Sequence, residues 1–152
     1  MTLNLHPPHL LLLGDIKNPL DAKTAMGVLA WRPEHCIGQF RLPGCQVDLG
    51  LPDLNPAEAF NAGARSLLIG VAPVGGEIAP KWLESIRLSL NSGLSVVSGL
   101  HQTLAAAPGL QSLADEKRLA LVDVRVPPDF QQVASGRKRT GKRLLTVGTD
   151  CC

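Results

Sequence analysis

The chain has 152 residues with 15 Lys+Arg against 13 Asp+Glu, a formal charge of +2. That is one domain's worth of sequence, without a field strong enough to steer it to nucleic acid. Aromatic residues are 3% with Tyr absent, which excludes a base-stacking surface, and 45% hydrophobic residues exclude a wholly disordered chain.

The first element in the chain is His9–Leu13, an apolar run ending at Gly14-Asp15, which predicts a strand buried on both faces. Asn18-Pro19-Leu20-Asp21 then starts a helix, with Asn18 as N-cap and Pro19 at the first helical position. Ala22, Ala25, Met26 and Leu29 supply its buried face. Cys36–Phe40 predicts a second strand, and Arg41–Leu54, rich in Pro and Gly, a loop. Asn55-Pro56-Ala57-Glu58 repeats the helix-start chemistry, and Gly63 offers the left-handed stop. Leu67–Gly70 is the third strand, followed by a loop from Val71 to Gly76. Pro80–Asn91 is a helix with Trp82, Leu83, Ile86 and Leu90 on one face, closed by Gly93. Ser95–Ser98 is the fourth strand, Leu110–Lys117 a further helix, and Leu119–Val126 the fifth strand.

Alternation of this kind predicts an α/β fold, an open and mostly parallel sheet with helices on both faces. Right-handed crossovers would bring every strand's C-terminal end to one edge. Gly14-Asp15, Gly70–Gly76, Ser98–His101 and Asp123–Arg125 should therefore face one crevice.

The last quarter changes character. Residues 127–143 are poor in apolar side chains and hold the basic run Gly136–Arg143, which reads as a linker. Leu144–Val147 is a clean strand leading into Gly148-Thr149-Asp150-Cys151-Cys152, the way a phosphate-binding loop opens. The expectation is a domain over 1–126, a linker over 127–143, and the start of a second domain over 144–152. The four cysteines, 36, 45, 151 and 152, form no C-x-x-C, and a reducing cytosol is the simplest home. No run approaches the ~20 apolar residues of a membrane span, and Leu10–Leu13 is too short for a signal-peptide core.

Asp21–Ala25, Ile69–Pro73 with Gly75-Gly76, Val97–His101, Val122–Arg125 with Pro127-Pro128, and Leu145–Cys151 stand in order along the chain. Together these five stretches resemble the N-terminal Rossmann-like domain of the D-glutamate N-acetyltransferase family, long catalogued as an uncharacterised P-loop family. The resemblance covers almost the whole chain and implies a parent that acetylates the amine of D-glutamate. It implies acetyl-CoA as acyl donor, ATP or another nucleotide bound by a C-terminal P-loop domain, and this chain inactive by itself. The Gly-Lys with which that family continues does not occur after Gly148-Thr149-Asp150-Cys151 here.

Acetyl transfer to an amino acid needs a base for the amine, cations for two carboxylates, and N–H donors for the oxyanion. His101, at a strand exit, is the candidate base; the alternative is a helix-start histidine bonded to a backbone carbonyl. Asp15 is a candidate for a ligand hydroxyl or ammonium, or else a cap of the following turn. Arg125 is a candidate carboxylate clamp, or the partner of Asp123 or a neighbouring loop. Ser98 and Gly99 join the substrate-binding set by position, and Lys23 through the resemblance. Gly70, Gly75, Gly76, Gly148 and Thr149 are candidates to present backbone N–H groups to a phosphate or carboxylate, the alternative for Gly75-Gly76 being a simple turn.

Cys36 and Cys45 read as packing residues. His6, His9 and His35 lack metal-ligand spacing, so no metal is expected. No G-x-G-x-x-G follows any strand, which disfavours hydride transfer. A non-catalytic nucleotide- or anion-binding module and an oligomerisation scaffold are the alternatives to a catalytic parent.

Overall fold

In the computed structural model, which describes residues 4–126 together with 140 and 141, the apolar runs become the strands of one sheet. β1 (His9–Gly14) is buried along its whole length. A run without polar alternation belongs in the middle of a sheet covered on both sides. β2 (Cys36–Arg41) and β3 (Ser66–Ile69) flank it, and β4 (Ser95–Ser98) and β5 (Leu121–Asp123) extend the sheet beyond β3. Every neighbouring pair is parallel, and among the described residues the order is β2-β1-β3-β4-β5. This is the open α/β fold that the alternation predicts.

Asn18 Oδ1 accepts from the Leu20 N–H at 3.0 Å, but the turn it caps, Pro19–Ala22, is 3-10. Helix α1 (Lys23–Trp31) follows directly. The tighter winding shifts the helix phase, so Ala22 and Ala25 are fully buried whereas Met26, expected inside, is 46% exposed. Val28 packs against the core on that side.

Helix α2 (Pro56–Asn61) begins with a full capping box: Asn55 Oδ1 accepts from Glu58 N at 3.0 Å, and Glu58 Oε2 accepts from Asn55 N at 2.8 Å. Gly63 closes it at φ +104°. Helix α3 (Pro80–Asn91) buries Trp82, Ile86 and Leu90, and helix α4 (Leu110–Lys117) buries Leu110 and Ala114. Helices α2, α3 and α4 pack in a row, while α1 lies on β1 and β3. The chain winds outward from β1 to β2 and then back past β1 to β3, β4 and β5, so right-handed crossovers put α1 on the opposite face.

β5 is shorter than expected. Leu119 N donates to Ala114 O at 2.9 Å, so residues 118–120 serve as the exit from α4, and β4 offers register only to Leu121–Asp123. Residues 42–54 are irregular but tied down: Gln39 N donates to Pro52 O, and Leu54 N to Gln39 O. Apart from residues 140 and 141, the expected linker and the strand with Gly148 and Thr149 lie outside the described residues.

Candidate functional site

In a parallel sheet of this order the direction of winding switches between β1 and β3, and ligands characteristically bind beyond the strand ends there. In this chain that position is filled. The Trp82 indole lies on Gly14, where a Cβ would stand 2.3 Å from Nε1. Asp15 accepts from Trp82 Nε1 at 3.0 Å and pairs with Lys81, so its carboxylate ties β1 to the first turn of α3. The Lys81 hydrogen bond, chiefly, holds the Asp15 carboxyl below its usual range despite partial burial. Asp15, expected either to hold a ligand group or to cap the following turn, thus has two protein partners on α3.

Gly70 is sealed in the same way. Its N–H donates to Leu12 O at 3.0 Å and its carbonyl accepts from Ala25 N at 2.9 Å. A Cβ there would lie 2.6 Å from the Ala25 Cβ. Gly70 lets α1 approach the sheet and keeps no N–H for an anion. Lys23 opens α1 with an exposed side chain and is not among the residues that line the small cavity described next.

The residues that do converge sit one step outward, at the exits of β3, β4 and β5. Pro73, Gly76, Gly99, Leu100, His101 and Arg125 line a cavity of about 30 Å³. That is space for one or two waters and not for an amino acid. His101 packs across Gly76, whose φ is +64°, and its own N–H donates to the Gly76 carbonyl at 3.0 Å. The Gly76 N–H is taken by Pro73 O, so this glycine provides close approach and no anion donor. Gly75, at φ +86°, stands exposed with open space beside its α-carbon. Gly99 has only an ordinary contact with Val124 on that side.

Ser98 is buried, with Oγ accepting from Leu100 N at 3.2 Å and its carbonyl accepting from Val124 N. It shapes the β4 exit instead of facing a ligand. Arg125 is exposed at the rim, and among the described residues no carboxylate lies within ion-pair distance of it. The expected Asp123 partner is engaged elsewhere: both of its carboxylate oxygens accept from Leu104 N, at 3.0 and 3.1 Å. Burial raises the Asp123 carboxyl above its usual range, against that hydrogen bond.

Two supports escape a sequence reading. Asp123 caps the 3-10 turn Leu104–Ala106, and Gln102 Oε1 accepts from Ile78 N at 2.9 Å. Together they bracket His101 between the loops after β3 and β5. The available signal for Asp123 is an acidic residue at a strand end, which does not name the distant N–H that it accepts from.

Among the described residues no cluster of His, Cys, Asp or Glu is suited to a metal, and no helix is long and apolar enough to cross a membrane. Cys36 donates to the Arg32 carbonyl, and burial, with Glu34 nearby, pushes its thiol up.

Comparison with known proteins places these features in a family. A "D-glutamate N-acetyltransferase" from Tritonibacter scottomollicae is 46% identical over 147 residues, covering 97% of this chain and 44% of the relative. One of the same name from a Pseudoalteromonas species is 40% identical over 149 residues, covering 98% of the chain and 45% of the relative. The chain therefore spans less than half the length of these relatives. The crystal structure of a DUF1611 family protein from Anabaena variabilis superposes with a TM-score of 0.66 at 26% identity, over 86% of this chain and 40% of that one. Residues 40–127 match the model of a domain of unknown function described as a Rossmann-like domain, and the chain belongs to that family, DUF1611_N.

Proposed function

We propose that this chain is the substrate-facing N-terminal part of a D-glutamate N-acetyltransferase and that its crevice at the β3, β4 and β5 exits forms one wall of the active site. The observation that carries the reading is the similarity of nearly the whole chain to two relatives bearing that name. The geometry supports it by bringing His101 and Arg125 to one rim.

In this reading Arg125 grips a carboxylate of the amino acid with its two-pronged guanidinium. His101 removes the amine proton, and the nitrogen attacks the acetyl carbonyl of acetyl-CoA. A C–N bond forms, the C–S bond breaks, and the thiolate leaves as free CoA thiol after taking up a proton. The 30 Å³ cavity is too small for either substrate, so the opposite wall comes from the part of the relatives beyond this chain's span. That part also supplies the P-loop and the nucleotide. The chain alone has no turnover.

The test is release of free thiol from acetyl-CoA with D-glutamate, using the complete protein. Turnover that falls by ~100-fold or more in both His101→Ala and Arg125→Ala supports the roles. Full turnover in the double variant overturns the residue assignment. No turnover in the unaltered complete protein overturns the activity.

A further inference from the structure

The opposite edge of the sheet carries a larger cavity that this reading does not use. It has a volume of about 490 Å³ and is lined by Asn4, His6, Arg65, Ser95 and Arg118 among others. The volume falls within the range of small-molecule sites, but the hollow is open to solvent and both of its arginines are exposed. It lies where β3, β4 and β5 begin, a full strand length from His101. Its wall holds two arginines and a histidine, and no carboxylate. Among the described residues neither arginine has an acidic partner. Arg65 is held in place, its guanidinium donating to Ala64 O at 2.9 Å and lying 5.8 Å over the Phe60 ring.

Arg118 carries the second observation. Helices α2, α3 and α4 each end in a left-handed residue that turns the chain into the next strand: Gly63 at φ +104°, Gly93 at +91° and Arg118 at +56°. Glycine is the default there because it lacks the Cβ that strains this conformation. The first two helices obey that rule and the third does not. Attraction to the helix C-terminus does not require the exception, because Lys117 already supplies a cation in the last turn. The other non-glycine residue with positive φ among those described is His6, at 51°, in the same wall. Backbone strain gathered at one cavity is characteristic of ligand sites.

We infer that this cavity binds a small phosphate-bearing molecule, with Arg65 and Arg118 as its anion contacts. Two guanidinium forks match a phosphate dianion, and the volume beyond them accommodates a group about as large as a nucleoside. The site is distinct from the acetyl-transfer crevice and stands or falls independently of it.

The experiment is calorimetric titration of the full chain with inorganic phosphate and, separately, with AMP. Arg118→Gly is the informative variant, because it relieves the left-handed strain while removing the cation. It should raise Tm by a few degrees and weaken binding by ~10-fold or more; Arg65→Gln should weaken binding similarly. Tighter binding of AMP identifies a nucleotide-like ligand, and equal binding of the two identifies phosphate itself as the recognised group. The inference is overturned if neither probe binds at millimolar concentration, or if Arg118→Gly binds as tightly as the unaltered chain.

Discussion

His101 lies against the one face of Gly76 that a side chain would occupy: a Cβ there would stand 2.3 Å from His101 Cδ2. Gly76 also holds φ +64°, so Gly76→Ala meets backbone strain and a collision together. The variant should lose about 1–2 kcal/mol of stability and displace the imidazole, seen as a shifted His101 ring resonance in NMR. Acetyl transfer by the complete protein should fall with it. Gly75→Ala is the control, since that position also has positive φ but open space around it. It should show the strain alone, with the His101 resonance unmoved.

Asp15 joins β1 to α3, so its removal should act on stability first. Asp15→Ala leaves the largely buried Trp82 N–H without its acceptor and should cost about 1–3 kcal/mol in urea unfolding. Asp15→Asn keeps an acceptor for the indole and should cost less. The depressed pKa sets the sign with pH: the contribution is present above the ordinary carboxylate range and is lost as pH falls through the native value. An unaltered unfolding midpoint in Asp15→Ala would remove this tether from the account.

His9 makes the opposite end of β1 acid-sensitive. It is buried, Nδ1 lies 2.7 Å from Ser66 Oγ, and burial, with repulsion from His35, lowers its pKa from 6.5 to about 4. The unfolded chain therefore binds more protons between those values, so stability is lost as pH falls from about 6.5 to about 4. The full span corresponds to on the order of 3 kcal/mol. His9→Asn, which keeps a polar atom near Ser66, should flatten the stability profile in that window. An equally steep profile in the variant would assign the acid sensitivity to other groups.

Gln39 is fully buried in β2 and organises the loop after it. Its Nε2 donates to Asp48 Oδ1 and its Oε1 accepts from Leu49 N, both at 2.8 Å. Gln39→Leu leaves the Leu49 N–H without its acceptor and should cost about 1–3 kcal/mol in denaturant unfolding. Gln39→Glu puts a carboxylate against Asp48 and should be worse at neutral pH, recovering as the solution is acidified. Two variants of equal stability at neutral pH would show that Asp48 does not feel the new charge.

The elements were legible because their signals are local. The unbroken Leu10–Leu13 run, the Asn55–Glu58 capping box and the Pro80–Asn91 periodicity each lie within a few turns of chain, and each forms as expected. Parallel pairing follows from their alternation, and the convergence of Gly76, Gly99, His101 and Arg125 follows from that pairing. Met26 departs from the expected buried face because Pro19–Ala22 winds as a 3-10 turn, a change of phase that composition does not reveal.

What the amino-acid order determined by itself was thus the kind of fold and the edge to which chemistry-bearing residues go. Which of them stay available was decided only in three dimensions. The switch-point crevice is closed by Trp82 reaching Asp15 across 67 residues, and Asp123 answers Leu104 from another strand. Nothing nearby in the sequence marks either partner. A strand end exposes several polar groups at once, and packing between distant segments determines which are hydrogen-bonded within the protein and which are left to meet a ligand.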